Sequence, residues 1–326
     1  MILVISGVLS PCKAQIADLP EAVTIDQLLE ILREKSPKLT ALRASIDIAA
    51  SEVIGARVLP NPAISYGRYD HVGGDPTTQF AGSQQQQSTV NVPLLLAGQR
   101  AVRSEAAERG VSAAKAQVQA SYAELARQTW QLFVKLLGWQ ERVRVLEDAR
   151  SRLDRLKDII SGRAAAGTAS QYEVLRITVE AVALGTRLAD ARAEVTNSAG
   201  EISTLLGLPG WRPRALGTFI PLGIKVDLDA LWDKAKQFNP ALEAVRRDEL
   251  AAEAAIKRTK RERWPVPVVS LGPTWTNNPD GSNLFTGLSV EIPLFDRKQG
   301  QIARVLAEKR VAALSLQSLT AETHAE

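Results

Sequence analysis

Residues 163–173 read RAAAGTASQYE and separate two unusually long stretches of helical periodicity. Gly167 can adopt the left-handed backbone conformation that commonly ends a helix. Ser170 and Glu173 have the spacing of a capping box, in which each side chain accepts a hydrogen bond from the other residue's backbone N–H. This stretch therefore predicts a tight turn between two helices.

The two flanking stretches carry residues of a coiled-coil seam at alternating steps of three and four. No proline occurs between Pro93 and Pro209, so neither stretch is interrupted. About 60 residues from Arg100 at 1.5 Å per residue predict an arm on the order of 90 Å, which needs neighbouring helices along its length. The seam positions are Val118, Tyr122, Leu125, Thr129, Leu132, Leu136, Trp139, Val143, Leu146, Ala149, Leu153, Leu156 and Ile160, then Val174, Ile177, Ala181, Leu184, Leu188, Ala191, Val195, Ser198, Ile202 and Leu205.

The segments before and after this hairpin resemble each other, which predicts an internal repeat. Each copy begins with two helices separated at a proline, followed by two extended segments and the start of a long helix. In the first copy Thr24 is the predicted N-cap. The matched segments are 23–28 with 226–231, 36–37 with 239–240, 60–67 with 265–272, 90–94 with 290–294, and Gln99 with Gln299.

The extended segments alternate between apolar residues and small or polar residues, which predicts four β-strands with lipid or a core on one side. Each runs for roughly 9–11 residues, the length of a tilted strand that crosses a bilayer. The linkers from Asp70 to Gln87 and from Asn277 to Asn283 are predicted loops. Ordinary soluble hairpins are the alternative. The clearest apolar positions are Val269, Leu271, Pro273, Trp275, Leu288, Val290 and Ile292.

Residues 1–14 resemble a secretory signal peptide that lacks the basic N-terminal segment. An apolar run at 2–9 is followed by Cys12-Lys13-Ala14, which can be read as a cleavage site. The segment LSPC at 9–12 differs from a lipoprotein acylation box only at Pro11, so lipidation of Cys12 is an alternative. No other segment has 18 consecutive apolar residues, and we predict no transmembrane helix.

Composition argues against several function classes. The net charge is +4 and no basic cluster is interleaved with aromatics, so we expect no binding to nucleic acid. A single Cys and two isolated histidines, His71 and His324, predict no disulfide framework and no metal site. Without a convergent polar constellation, we expect no enzyme activity, no catalytic residues and no cofactor. The basic run at 257–263 is predicted to be a solvated helix end, with anionic lipid headgroups as the alternative.

The order of these elements and their duplication resemble the outer-membrane efflux protein family of the TolC type, over residues 23–326. The most specific pieces are Pro93 and Pro293 between strands and helices, the turn at 167–170, and Leu205-Leu206-Gly207-Leu208 at the end of the hairpin. The resemblance implies a mainly α fold with membrane β-strands. It also implies a long antiparallel coiled-coil helical hairpin and four strands that contribute to a trimeric outer-membrane barrel.

The resemblance further implies a homotrimer that contacts outer-membrane lipid and extends into the periplasm. Its function would be a passive exit duct for metal ions, drugs or other small molecules. Its partners would be a periplasmic adaptor protein and an inner-membrane pump. The hairpin tip meets the adaptor in this family, which assigns that role to Arg163, Gly167, Thr168 and Ser170.

The predicted division of the chain is a signal peptide at 1–14, a first repeat at 23–223 and a second repeat at 224–326. The second repeat is incomplete because it stops near the start of its long helix, so we expect a C-terminally truncated member that forms no sealed tunnel. Two other readings stay open. The chain can be a periplasmic adaptor or other coiled-coil interaction protein, or a non-functional truncated fragment.

Overall fold

The computed structural model of the chain describes residues 19–70, 84–219, 227–277 and 281–325. Within these ranges, packing groups the chain into two units. One unit comprises residues 19–42 and 121–219. The other comprises residues 43–70, 84–120, 227–277 and 281–325. The elements are β1 (Ala22–Val23), α1 (Ile25–Lys35), α2 (Pro37–Arg57), β2 (Ala63–Asp70), β3 (Gln84–Pro93), α3 (Gln99–Ala165), α4 (Gln171–Leu206), β4 (Arg214–Ala215), α5 (Leu228–Phe238), α6 (Pro240–Arg261), β5 (Val268–Thr276), β6 (Ser282–Ser289) and α7 (Gln299–Ala325).

The predicted helical hairpin is confirmed in the first unit, where α3 and α4 run on either side of a turn at 166–170. All ten seam positions of α4 are buried or half-buried. The α3 seam follows the same rule except at Leu156, which is 47% exposed. Arg192 pairs with Glu147 across the hairpin at 2.7 Å. Because exposed ion pairs contribute only about 0–1 kcal/mol, the buried seam is the main stabilising contact.

The core of the first unit lies where α1 packs beside the base of the hairpin. Phe133 and Leu136 of α3 meet Ile202 and Leu206 of α4, and the α1 residues join them. Gly207 ends α4 in the left-handed conformation, with φ of 70°. The remaining buried members of this cluster are Val23, Leu28, Leu32, Leu125, Ala199, Leu208, Trp211 and Ala215.

A short parallel β-pair in the first unit was not predicted. Val23 was expected to begin a helix, but it lies in β1 and pairs with Ala215 of β4. The Trp211 indole N–H donates to the Pro20 carbonyl at 3.1 Å, which holds the same two segments together. The helix α1 then begins at Ile25, and the predicted N-cap Thr24 is confirmed by a complete capping box with Gln27.

The second unit contains an antiparallel four-stranded sheet in the order β2-β3-β5-β6. The central contact joins the strand pairs of the two sequence repeats, with Val90 opposite Leu271 and Gln87 opposite Thr274. Each repeat therefore contributes one edge strand and one central strand. The fold prediction, a long helical hairpin together with four strands, is confirmed.

Two predicted loops are shorter than expected, because strand pairing continues into them. Residues 84–87, four consecutive glutamines, belong to β3; all four pair with β2, and residues 85–87 also pair with β5. Residues 282–283 belong to β6. Strand formation here depends on cross-strand pairing more than on the propensity of glutamine. In contrast, β6 ends at Ser289, so Val290 and Ile292 lie outside the strand in which they were predicted.

The joints of the two repeats have the same local geometry. The first helices end at Ser36 and Asn239 with nearly identical dihedrals, −68° and 117° against −69° and 116°. Gly98 and Lys298 both have positive φ, 73° and 59°, directly before α3 and α7. The boundaries 23–223 and 224–326 divide the chain by duplication rather than by packing, and they remain a prediction. The predicted signal peptide and Cys12 lie outside the described residues.

Candidate functional site

One face of the sheet is apolar and exposed, and we call it the outer face. The register places Ile64, Val90 and Leu271 beside one another on it. Large apolar side chains on this face are 39–82% exposed. They are Ile64, Tyr66, Val90, Val92, Val269, Leu271, Trp275, Leu284 and Leu288. A soluble antiparallel sheet buries its apolar face, whereas this sheet leaves it uncovered by any described residue.

The opposite face is mainly polar, and its centre is closely packed. Its central threonines, Thr89 and Thr274, are only 8% and 7% exposed. Asn91 links the neighbouring strands, because its amide donates to Ser65 Oγ at 2.7 Å and its Oδ1 accepts from Ser270 Oγ at 2.6 Å. At its centre the sheet is therefore reversed relative to a soluble one, with buried, hydrogen-bonded polar groups on one face and exposed apolar groups on the other. This is the pattern of a strand that faces lipid.

The hairpin tip brings the four predicted site residues together within a single turn. The Arg163 carbonyl accepts from Thr168 N at 2.8 Å, and Gly167 N donates to the Ala164 carbonyl at 3.0 Å. These two bonds and the φ of 76° at Gly167 form a Schellman motif. The predicted capping box is also confirmed: Ser170 N donates to Glu173 Oε2 at 2.9 Å. All four residues are exposed.

The geometry gives three of these residues a structural role in the turn. Gly167 supplies the left-handed conformation, Thr168 donates to the Arg163 carbonyl through both its N–H and its hydroxyl, and Ser170 caps α4. The Arg163 side chain makes no ion pair with any side chain of the described ranges. Their contact with an adaptor remains a prediction.

Sequence reasoning missed a second apolar stripe beside the tip. Tyr172, Leu175, Val179 and Val182 lie on the face of α4 away from the seam, and all are exposed. Their spacing of three, four and three is the signal that would have identified them. A stripe of this kind on a paired helix is typical of a surface that contacts a further helix.

In the second unit, α6 packs on α7 and leaves an open groove of about 620 Å³ between them. Val245, Val311 and Ala312 are among the residues that line it. Lys309 Nζ donates to Glu253 Oε1 at 2.5 Å across the same pair of helices. This hydrogen bond lowers the pKa of Glu253 and raises the pKa of Lys309.

The described residues carry little that would support bond-making chemistry. Within them, no three His, Cys, Asp or Glu side chains are grouped as metal ligands. His324 packs edge-on against Trp232 with ring centroids 4.7 Å apart, and His71 lies outside the described residues. No helix in the described ranges combines the length and apolar character that crossing a membrane requires.

Comparison with known proteins agrees with this geometry. Residues 28–208 match the family model described as outer membrane efflux protein. The chain is 26% identical over 282 residues to the cobalt-zinc-cadmium resistance protein CzcC of Cupriavidus metallidurans, an alignment that covers 86% of this chain and 65% of that relative. The chain thus spans about two thirds of the length of this curated relative.

Solved structures share the fold at low sequence identity. A membrane protein from Pseudomonas aeruginosa has a TM-score of 0.72 and 15% identity, with 91% of this chain and 73% of that chain covered. The outer membrane protein VceC from Vibrio cholerae has a TM-score of 0.69 and 15% identity, with 91% and 75% covered.

Proposed function

Because the chain belongs to the outer membrane efflux protein family and is therefore an outer-membrane protein, we propose that it forms the passive exit duct of a tripartite efflux system. In this role the sheet lies in the outer membrane and the helical hairpin extends into the periplasm. The observation that carries the proposal is the reversed centre of the sheet, with an exposed apolar outer face and buried threonines, Thr89 and Thr274, on the opposite face.

The sheet supports a closed assembly of three copies. Within the described residues, the edge strands β2 and β6 each have a strand partner on one side only, and unpaired backbone groups are not tolerated in the hydrocarbon region of a bilayer. Pairing β2 of one copy with β6 of the next removes both edges. Three copies of four strands then give a twelve-stranded barrel, an even number as in bacterial outer-membrane proteins.

The helices support the same assembly, because several carry exposed apolar side chains. The α4 stripe at Tyr172–Val182 is one such surface, and α5 and α7 carry others. These helices are amphipathic or partly apolar and lack a partner on that face within the described chain. Neighbouring copies would cover them, as the length of the arms predicts. The additional exposed residues are Leu228, Leu231 and Phe238 of α5, and Leu306, Val311 and Leu314 of α7.

The partners that we propose are a periplasmic adaptor protein and an inner-membrane pump. The adaptor would contact the hairpin tip at Arg163, Gly167, Thr168 and Ser170, where a rigid turn presents exposed groups. The cargo that we propose is a divalent metal ion, on the ground that the curated relative is a cobalt-zinc-cadmium resistance protein. A periplasmic adaptor is the weaker alternative, because an aqueous compartment does not favour an exposed apolar sheet face.

Membrane insertion is tested by placing a charge on the outer face. Leu271 lies in the middle of β5 and is 51% exposed, and Leu156 of α3 is a matched control at 47%. A lysine facing lipid near the bilayer centre costs about 2–4 kcal/mol. We expect Leu271→Lys to remove the chain from the outer-membrane fraction and to abolish a heat-modifiable trimer on gels. Leu156→Lys is expected to retain both, and equal behaviour of the two variants would contradict the proposal.

Adaptor docking is tested at the tip. Proline cannot adopt the positive φ of Gly167, so Gly167→Pro disrupts the turn. Ser170→Arg removes the cap of α4 and adds a long cation. Both variants are expected to lose crosslinking to the adaptor while they still enter the outer membrane. Gly162→Ala is the control, since a Cβ there contacts nothing within 4 Å. Unchanged crosslinking in the first two variants would show that the tip is not the docking surface.

A further inference from the structure

A small basic pocket lies at one end of the sheet, in the second unit. It is lined by Arg263, Trp264, Pro265, Pro293 and Arg297 and has a volume of about 190 Å³. The first three residues lie between the end of α6 and the start of β5, and the other two lie between β6 and α7. We call it the junction pocket.

The two arginines of the junction pocket are available to a ligand. Both are exposed, and neither side chain makes an ion pair with a side chain of the described residues. The nearby carboxylate of Glu262 is already used, because it accepts from Arg103 at 2.8 Å and lies 3.9 Å from Lys298. The pocket therefore carries two positive charges whose counter-charge is not supplied by the described chain.

The surroundings of the pocket are apolar and exposed, in continuity with the outer face. Ile292, Leu294 and Phe295 are exposed, and Phe295 reaches 90%. Val269 and Leu288 are opposite each other at this end of the sheet, where the outer face begins. Cations beside exposed aromatic and aliphatic side chains, next to a lipid-facing surface, are typical of the boundary between hydrocarbon and headgroups.

The repeat provides an internal comparison. The positions that match Arg263, Trp264 and Arg297 in the first copy are Val58, Leu59 and Ala97. The positive φ before the long helix is duplicated at Gly98 and Lys298, but the charges and the indole are not. The basic pair is therefore a property of this one joint and not a consequence of the duplicated fold.

We propose that the junction pocket binds the phosphate of an anionic phospholipid, a step that rests on the proposed membrane location of the sheet. Arginine guanidinium groups bind phosphate through two parallel hydrogen bonds, and the Trp264 indole is suited to the headgroup level. Sites for drug-sized ligands have volumes of roughly 300–1,000 Å³, and the junction pocket is smaller than this. A single phosphate group therefore suits the pocket. The bound lipid would fix the depth of the sheet at the side facing the helices.

The experiment compares flotation of the full chain with phosphatidylcholine vesicles and with vesicles enriched in phosphatidylglycerol. The wild type is expected to bind the second kind more tightly. The double variant Arg263→Gln with Arg297→Gln is expected to reduce the gain in affinity for the phosphatidylglycerol vesicles by about 30-fold. Each basic residue contributes about 1 kcal/mol at an anionic surface. Arg155→Gln combined with Arg187→Gln is the matched control, because it removes the same charge from exposed positions of the hairpin.

The outcomes separate this inference from the proposed function. If both double variants keep the full gain, or lose it equally, the junction pocket is not the lipid site, although the sheet can still enter neutral vesicles. If the wild type does not bind even neutral vesicles, the membrane location itself fails and the inference fails with it. If inorganic phosphate binds without vesicles and depends on the same two arginines, the site takes free phosphate and the assignment to lipid is wrong.

Discussion

Replacing Gly272 by alanine tests the pairing of β3 with β5, which joins the two copies of the repeated unit into one sheet. A Cβ at Gly272 would lie 1.8 Å from the Ser88 carbonyl oxygen and 2.7 Å from Thr89 Cα. Non-bonded atoms pack at roughly 3.5 Å, so the strands would have to separate by about 1.7 Å. Both neighbours are backbone atoms of a paired strand and cannot rotate away.

The expected cost follows from that separation. Overpacking alone costs about 1–3 kcal/mol, and each ladder hydrogen bond that is lost adds about 1 kcal/mol. We therefore expect Gly272→Ala to reduce the free energy of unfolding by about 3 kcal/mol or more. The measurement is urea unfolding in detergent micelles, monitored by tryptophan fluorescence. The signal includes Trp275, which lies in the same strand as Gly272.

Two other glycines of the sheet serve as controls. At Gly287 the nearest atom to a new Cβ is Cζ of the Phe285 ring at 2.9 Å, the end of a side chain that can turn aside. At Gly67 the nearest atom belongs to Tyr69 at 3.7 Å, an ordinary contact. Alanine is expected to cost about 1 kcal/mol at the first position and within about 0.5 kcal/mol at the second. If Gly272→Ala unfolds at the same urea concentration as Gly67→Ala, the β3–β5 register is wrong.

Three further changes have outcomes that follow from single contacts. Lys298→Gly is expected to stabilise the chain by up to about 1 kcal/mol in the same urea assay, since a left-handed lysine is strained; a lower midpoint would refute this. Gly207→Ala is expected to cost about 2 kcal/mol or more, because φ is 70° and the new Cβ would lie 2.8 Å from Pro37 Cδ. Lys309 lowers the pKa of Glu253 below its usual 4.5, so that pair stabilises the fold above this pH and less as pH falls. Glu253→Gln should therefore flatten the stability profile where pH falls through and below 4.5, and an unchanged profile would contradict it.

The hairpin could be predicted from sequence because its determinants are local. Steps of three and four place one set of side chains along a single helix face, and Gly167, Ser170 and Glu173 specify the turn between the arms. The structure buries nearly all of the predicted seam. Leu156 is the exception: it is exposed together with Ile159, whereas the seam residues Leu153 and Ile160 on either side of it are half-buried.

The pairing of β1 with β4 could not be predicted in the same way. Each strand has two residues, and the whole hairpin lies between the partners Val23 and Ala215 in sequence. No periodicity exists over two residues, and the pair is fixed by tertiary contacts such as the bond from Trp211 to the Pro20 carbonyl. The extent of β3 was missed for a related reason, since its glutamines become a strand only when two neighbours supply hydrogen bonds.

Alternation alone did not predict what covers the apolar face of the sheet. A period of two shows that one face is apolar, but it cannot say whether a core or lipid covers that face. In the structure Thr89 and Thr274 are buried, whereas Leu271 opposite Val90 is exposed and is covered by no described residue. Burying hydroxyls is tolerated when they are hydrogen-bonded, as in the contact between Ser65 Oγ and Thr89 Oγ1 at 2.9 Å.

The repeat also explains why apolar side chains remain exposed on α5. Leu28 of α1 is 0% exposed because it packs into the core at the base of the hairpin, whereas its counterpart Leu231 of α5 is 50% exposed. Both positions are leucines at the same place in the repeated unit, so both are expected to pack against a neighbouring helix. In the described residues only the first has a full complement of neighbours. Burying a leucine contributes about 1.5–3 kcal/mol, so association with further helices is expected to stabilise this surface.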